Sequence, residues 1–125
     1  MCGIVGISSE THVASSIYES LLMLQHRGQD AAGMVVCDNE GRLHSRKSMG
    51  YVRDVFHQSH MNKLVGHYGI GHVRYPTAGG AGKEFAQPMY VNSPYGISLA
   101  HNGNLTNSKA LARELFHAEM RHLVT

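Results

Sequence analysis

Apolar and polar positions follow two rhythms along the 125 residues of this chain. The run GIVGI (3–7) is apolar on both faces and rich in β-branched residues, the pattern of a buried strand. In THVASSIYESLLMLQHRG, by contrast, Val13, Ile17, Leu21 and Leu24 fall on one stripe of an amphipathic helix, with Gly28 read as its stop signal. Such a stripe needs no explanation beyond core packing. DAAGMVVCD (30–38) predicts a second strand, DNEG (38–41) a turn and RLHSRKS the antiparallel partner. YVRDVF (51–56) predicts a short helix. HYGIGHVRY (67–75) reads as another buried strand, whose apolar HYGIGHV portion is expected to remain an open sheet edge. A Gly- and Ala-rich loop follows from Pro76 to Pro88. YGISLAHNGN (95–104) then predicts a strand running into an Asn-Gly turn, and Thr106 or Asn107 caps a last helix, ALARELFHAEM.

The predicted order is β-α-β-β followed by β-β-α, without the βαβ alternation of a parallel sheet. An α+β protein with antiparallel sheets and segregated helices fits this order. There are no internal repeats, low-complexity segments or linkers, so residues 1–125 are read as one domain.

Composition narrows the function classes. Hydrophobic residues make up 42% and charged residues 16%, a globular rather than disordered balance. The net charge is +2 with Lys and Arg scattered, which leaves no electrostatic footprint for nucleic acid. No apolar run approaches the roughly 20 residues of a membrane span, and no signal peptide is visible. The expectation is a cytoplasmic protein, not bound to membranes, with reduced cysteines. Cys2 and Cys37 share no CxxC spacing, and Cys37 is read as a core or strand-end residue. His57 and His60 in HQSH lack acidic or cysteine neighbours, so no metal site is expected. GGAGKE fails as a phosphate loop, because Thr77 stands where the first glycine belongs and Glu84 where the magnesium-binding hydroxyl belongs.

Candidate chemistry begins at MCGIVGI. Removal of Met1, which the small Cys2 side chain permits, leaves a thiol and an α-amino group on one residue. Reference pKa values for these groups are about 8.5 and about 7.8, so the amine is a well-matched base for the thiol beside it. Thiolate attack on an amide creates an oxyanion that needs preorganised donors. HNGN (101–104) offers the Asn102 side-chain amide and the Gly103 backbone N–H, although an Asn-Gly pair taken alone is first of all the mark of a hairpin turn. GHVRYPT (71–77) sets one arginine, Arg74, in an apolar strand, where its fork requires a carboxylate partner. That partner is either a substrate α-carboxylate or an internal acid such as Asp30. In QHRGQD (25–30), Arg27 and Asp30 flank a helix-ending glycine and could form a structural pair.

The blocks MCGIVGI, QHRGQDAAGM, GHVRYPTAGG and QPMYVNSPYGISLAHNGNLTN resemble the class II, or N-terminal nucleophile, glutamine amidotransferases. CGI and HNGN are common to that superfamily. QHRGQDAAG and GHVRYPTAG are similar to the narrower branch that aminates phosphoribosyl pyrophosphate to phosphoribosylamine, the first committed step of purine biosynthesis. The resemblance implies Cys2 as nucleophile, Asn102 and Gly103 as oxyanion hole, Arg74 and Thr77 at the glutamine α-carboxylate, and Arg27 and Gly28 lining the pocket. It further implies a four-layer α/β/β/α sandwich, here truncated before the domain is complete. The carboxylate that binds the glutamine α-amino group would lie beyond Thr125. Magnesium and phosphoribosyl pyrophosphate would belong to an absent phosphoribosyltransferase domain, and the full-length family is expected to be homo-oligomeric. No cofactor is expected in this chain, and glutamine hydrolysis by it alone is expected to be weak. Another class II amidotransferase, such as a glucosamine-phosphate synthase, or an inactive glutamine-binding remnant is the alternative.

Overall fold

The β-branched run near the N-terminus forms β1 (Gly3–Ser8), and the amphipathic stripe forms α1 (Ala14–Leu24), which runs on into a single 3-10 turn at Gln25–Arg27. These elements belong to a computed structural model that describes residues 1–76, 80 and 82–118. β2 (Ala31–Cys37) and β3 (Leu43–Met49) make the expected hairpin, with Ala31 opposite Met49 and Cys37 opposite Leu43. Its turn is built by Asp38, whose Oδ1 accepts the backbone N–H groups of Glu40 and Arg42 at 2.9 Å each. Two short helices follow, α2 (Val52–Val55) and α3 (Gln58–Met61), the second unanticipated in HQSH. β4 (Tyr68–Arg74), β5 (Met89–Val91), β6 (Ile97–Leu99) and α4 (Ser108–Ala118) complete the described elements.

β1 to β4 form one antiparallel sheet in the order β1-β4-β2-β3. The expectation that HYGIGHV forms an open edge is therefore wrong, because β4 is a central strand paired on both sides. The apolar run that suggested an exposed edge reflects burial between two neighbouring strands. Val13, Ile17 and Leu21 of the helical stripe are each at most 1% exposed and pack on Ala32, Met34, Val36 and Val73, which point from the sheet towards α1. Val52, Val55, Phe56 and Leu64 close one end of that core.

The opposite face of the sheet carries Ile4, Val35, Ile70, His72 and Arg74, by alternation along the strands. Over it lie the antiparallel pair β5–β6 and the segment leading into β5. Contact is direct at Gly33, where an added β-carbon would overlap the Gln87 carbonyl. Helix α1, the four-stranded sheet and β5–β6 thus supply the α/β/β succession expected of the sandwich. No residue of α4 within the described part is buried.

Candidate active site

Antiparallel pairing of β1 with β4 sets the start of one strand beside the end of the other. With Gly3 opposite Val73, Cys2 arrives next to Arg74 and Tyr75. Its Sγ accepts the Tyr75 backbone N–H at 3.4 Å and points its S–H at the Tyr75 carbonyl at 3.7 Å. Cys2 is 8% exposed, whereas Met1 before it is 75% exposed. Buried thiol and accessible chain end coincide, which is what processing to a free N-terminal cysteine requires.

Two donors converge on the Cys2 carbonyl, namely Arg27 Nε and Asn102 Nδ2, each at 3.0 Å. Arg27 comes from the 3-10 turn after α1, and Asn102 from the loop after β6. The Asn-Gly hairpin reading of this loop is not realised. Gly103 is not in the left-handed region, because the chain leaves β6 towards α4 instead of folding back. Asn102 and Gly103 consequently line the cleft, beside Cys2, Arg27, Arg74, Tyr75 and Gln87, around a volume of about 530 Å3. A space of this size suits a small amino-acid substrate.

Arg74 takes the internal partner that the sequence left open. Its Nη1 donates to Asp30 Oδ2 at 2.6 Å and its Nη2 to the Gly80 carbonyl at 2.5 Å, while the guanidinium lies 5.3 Å from the Phe85 ring centroid. Arg74 nonetheless remains one of the residues that line the cleft. Arg27 and Asp30 do not pair with each other, since each is engaged by a different group. Gly28 does follow the helical run, but not as a left-handed cap, because its φ of −164° is extended. A β-carbon there would come within 2.6 Å of the Arg74 backbone carbon, so glycine is required by close passage against the end of β4. Gly28 does not border the Cys2 cleft, and faces a neighbouring depression with Asp30 and Tyr75. Gln25 holds this corner, accepting the Val52 N–H at 2.8 Å and donating to the Gly28 carbonyl at 2.5 Å. Thr77 lies outside the described residues.

Two residues, one buried beside the site and one lining it, were missed by sequence reasoning. His72, two positions before Arg74 on the same face of β4, is fully buried and neither ring nitrogen has a hydrogen-bond partner. Burial pushes its pKa down to about 4, assisted by the positive field of Arg74 and His101 and opposed by the His101 backbone. The signal was a histidine inside the apolar GHVRY. The other is Gln87, whose Oε1 accepts the His101 N–H at 2.6 Å. Nothing in its glycine-rich neighbourhood marked it. Among the described residues, no group of three or more His, Cys, Asp or Glu is arranged to hold a metal ion, and no helix is long and apolar enough to cross a membrane.

No family model matches the chain. Curated relatives do, over its full length: amidophosphoribosyltransferases of Pseudomonas aeruginosa and Escherichia coli at 58% and 57% identity, and that of Saccharomyces cerevisiae at 50%. The chain spans 25% of the length of each of these relatives. Among solved structures, it superposes along its whole length on an allosteric regulatory enzyme of purine biosynthesis, with a TM-score of 0.85 at 36% identity. A glutamine phosphoribosylpyrophosphate amidotransferase from B. subtilis, complexed with ADP and GMP, gives 0.83 at 34%. In both, the match covers 26% of the solved chain.

Proposed function

The chain is a relative of the amidophosphoribosyltransferases along its whole length, and on that premise we propose that it forms the N-terminal part of a glutaminase domain. The proposed reaction is hydrolysis of glutamine to glutamate and ammonia. The ammonia serves amination of phosphoribosyl pyrophosphate to phosphoribosylamine. Support comes chiefly from one observation: Cys2, Arg74 and Asn102 line a single cleft although they are far apart in sequence.

With Met1 removed, the Cys2 α-amine takes the proton of its own thiol, and the thiolate attacks the glutamine carboxamide carbon. Negative charge develops on the amide oxygen, and the donors assigned to it are the Gly103 N–H and the second hydrogen of Asn102 Nδ2, whose first is held by the Cys2 carbonyl. Collapse of that intermediate expels ammonia, which leaves with the proton held by the α-amine, and a thioester remains on Cys2. Water deprotonated by the same amine then releases glutamate. Arg74 receives the substrate α-carboxylate on Nη2, in exchange for its contact with the Gly80 carbonyl, while Asp30 keeps the guanidinium in place through Nη1. Arg27 steadies the nucleophile through the Cys2 carbonyl, and Gly28 permits the close packing that sets Arg74.

Phosphoribosyl pyrophosphate and magnesium would bind to a phosphoribosyltransferase domain of the longer, homo-oligomeric enzyme, not to these residues. The location that fits this reading is the cytoplasm, where the free thiols of Cys2 and Cys37 would stay reduced. The test is glutamine hydrolysis by the Met1-processed chain and by one with Met1 retained, with intact mass reporting the processing. Activity is expected only in the processed form, and Cys2→Ser should abolish it. Equal hydrolysis with the methionine quantitatively retained would refute the self-activating cysteine.

A further inference from the structure

The donors at Cys2 sit on a loop that needs an external hold. Residues 101–104 are exposed and belong to no helix or strand. An exposed, irregular segment of this kind would ordinarily move too freely to keep a preorganised oxyanion site. Two hydrogen bonds oppose that freedom: Asn102 Nδ2 donates to the Cys2 carbonyl at 3.0 Å, and, from outside the nucleophile strand, Gln87 Oε1 accepts the His101 backbone N–H at 2.6 Å. A backbone N–H can only donate, so it is the Gln87 side-chain oxygen that must face the loop.

Gln87 is held from beneath in turn. Its carbonyl sits where Gly33 lacks a side chain, in the middle of β2, so the segment lies flat on a paired strand of the main sheet. The next carbonyl, that of Pro88, accepts Lys47 Nζ at 3.0 Å from β3. A continuous path thus runs from two strands of the rigid sheet, through the Gln87 side chain, to the residue preceding Asn102.

We propose that Gln87 is the positioning residue of the oxyanion loop: its side-chain carbonyl pins His101 and so fixes Asn102 and Gly103 against Cys2. This rests on the glutaminase reading for its catalytic consequence, but the pinning stands on geometry alone. Loss of the acceptor should weaken transition-state stabilisation and leave ground-state binding at Arg74 nearly intact.

The first measurement is hydrogen exchange at the His101 amide in the unsubstituted chain. Despite its exposure, this amide should exchange at least tenfold more slowly than its intrinsic rate, and an unprotected amide overturns the proposal. Gln87→Leu removes the acceptor, whereas Gln87→Glu retains an oxygen at the same reach. In a folded Gln87→Leu chain, His101 protection should be lost and kcat for glutamine should fall roughly 10- to 100-fold, with KM changed less than about threefold. Gln87→Glu should recover both protection and most of the kcat. A Leu variant with His101 still protected, or with the whole defect in KM, overturns the assignment. If glutamine is not hydrolysed even when the unsubstituted chain is part of the longer enzyme, the glutaminase reading fails by itself, and exchange at His101 still decides the pin.

Discussion

The buried imidazole of His72 predicts an acid-sensitive fold. The ring is fully buried, both nitrogens lack partners, and its pKa in the folded chain is about 4 against an ordinary 6.5. Between those two values the unfolded chain binds more protons than the folded one, so stability rises with pH across that window. The contribution is complete above about pH 6.5 and is lost progressively as the pH falls towards 4. From the two values, the loss is about 2 kcal/mol at pH 5 and approaches about 3 kcal/mol below pH 4. For a chain of this size, about 2 kcal/mol corresponds to roughly 6–10 °C in Tm. Carboxylates titrate nearby, Asp38 among them with a pKa lowered mainly by its hydrogen bond to His44, so the wild-type curve alone does not isolate His72. The difference between wild type and His72→Leu does, because leucine is apolar, near in size and does not titrate. Chemical denaturation from pH 7.5 to 4.5 should give curves that diverge below pH 6.5, with wild type losing the additional stability. The His72 ring resonance should titrate near pH 4. Parallel curves, or a ring titrating near 6.5, would refute the claim that burial holds this imidazole in its neutral form.

Three further outcomes follow from the geometry. Asn102→Ala should lower kcat for glutamine by about a hundredfold, the cost of a lost oxyanion donor, with little change in KM, as steady-state kinetics will show. Arg74→Lys should instead raise KM far more than it lowers kcat, since lysine keeps the charge without the fork. It should also destabilise the fold by about 2 kcal/mol, because the Asp30 and Gly80 contacts depend on two separate guanidinium nitrogens; identical kinetic defects in the two variants would mean that one role is misassigned. Gly28→Ala should cost about 2 kcal/mol or more through collision with the Arg74 backbone, read as a lower denaturation midpoint, and a change below about 0.5 kcal/mol would contradict the close approach.

Much of the architecture was legible in local pattern. The stripe through Val13, Ile17 and Leu21 and the β-branched runs of β1 and β2 encode elements whose burial is set by side-chain periodicity. The proposed nucleophile could be picked out for a chemical reason, because only a cysteine directly after the initiator can carry thiol and base together. The sequence by itself could not decide neighbours. That β4 is central rather than an edge follows from pairing with β1 and β2, strands well over twenty residues distant in the chain. Short β5 and α3 escaped notice because so few residues carry no periodicity of their own. Arg74 needed a carboxylate partner on sequence grounds alone, but only the alignment of β2 with β4 sets Asp30 within 2.6 Å of it. Gly28 could be seen to end a helix, yet its close passage against Arg74 is a tertiary fact. The isolation of His72 and the hold of Gln87 on His101 likewise depend on what packs above the sheet. Periodicity records which side of an element is buried, and contact between distant segments alone determines what it is buried against.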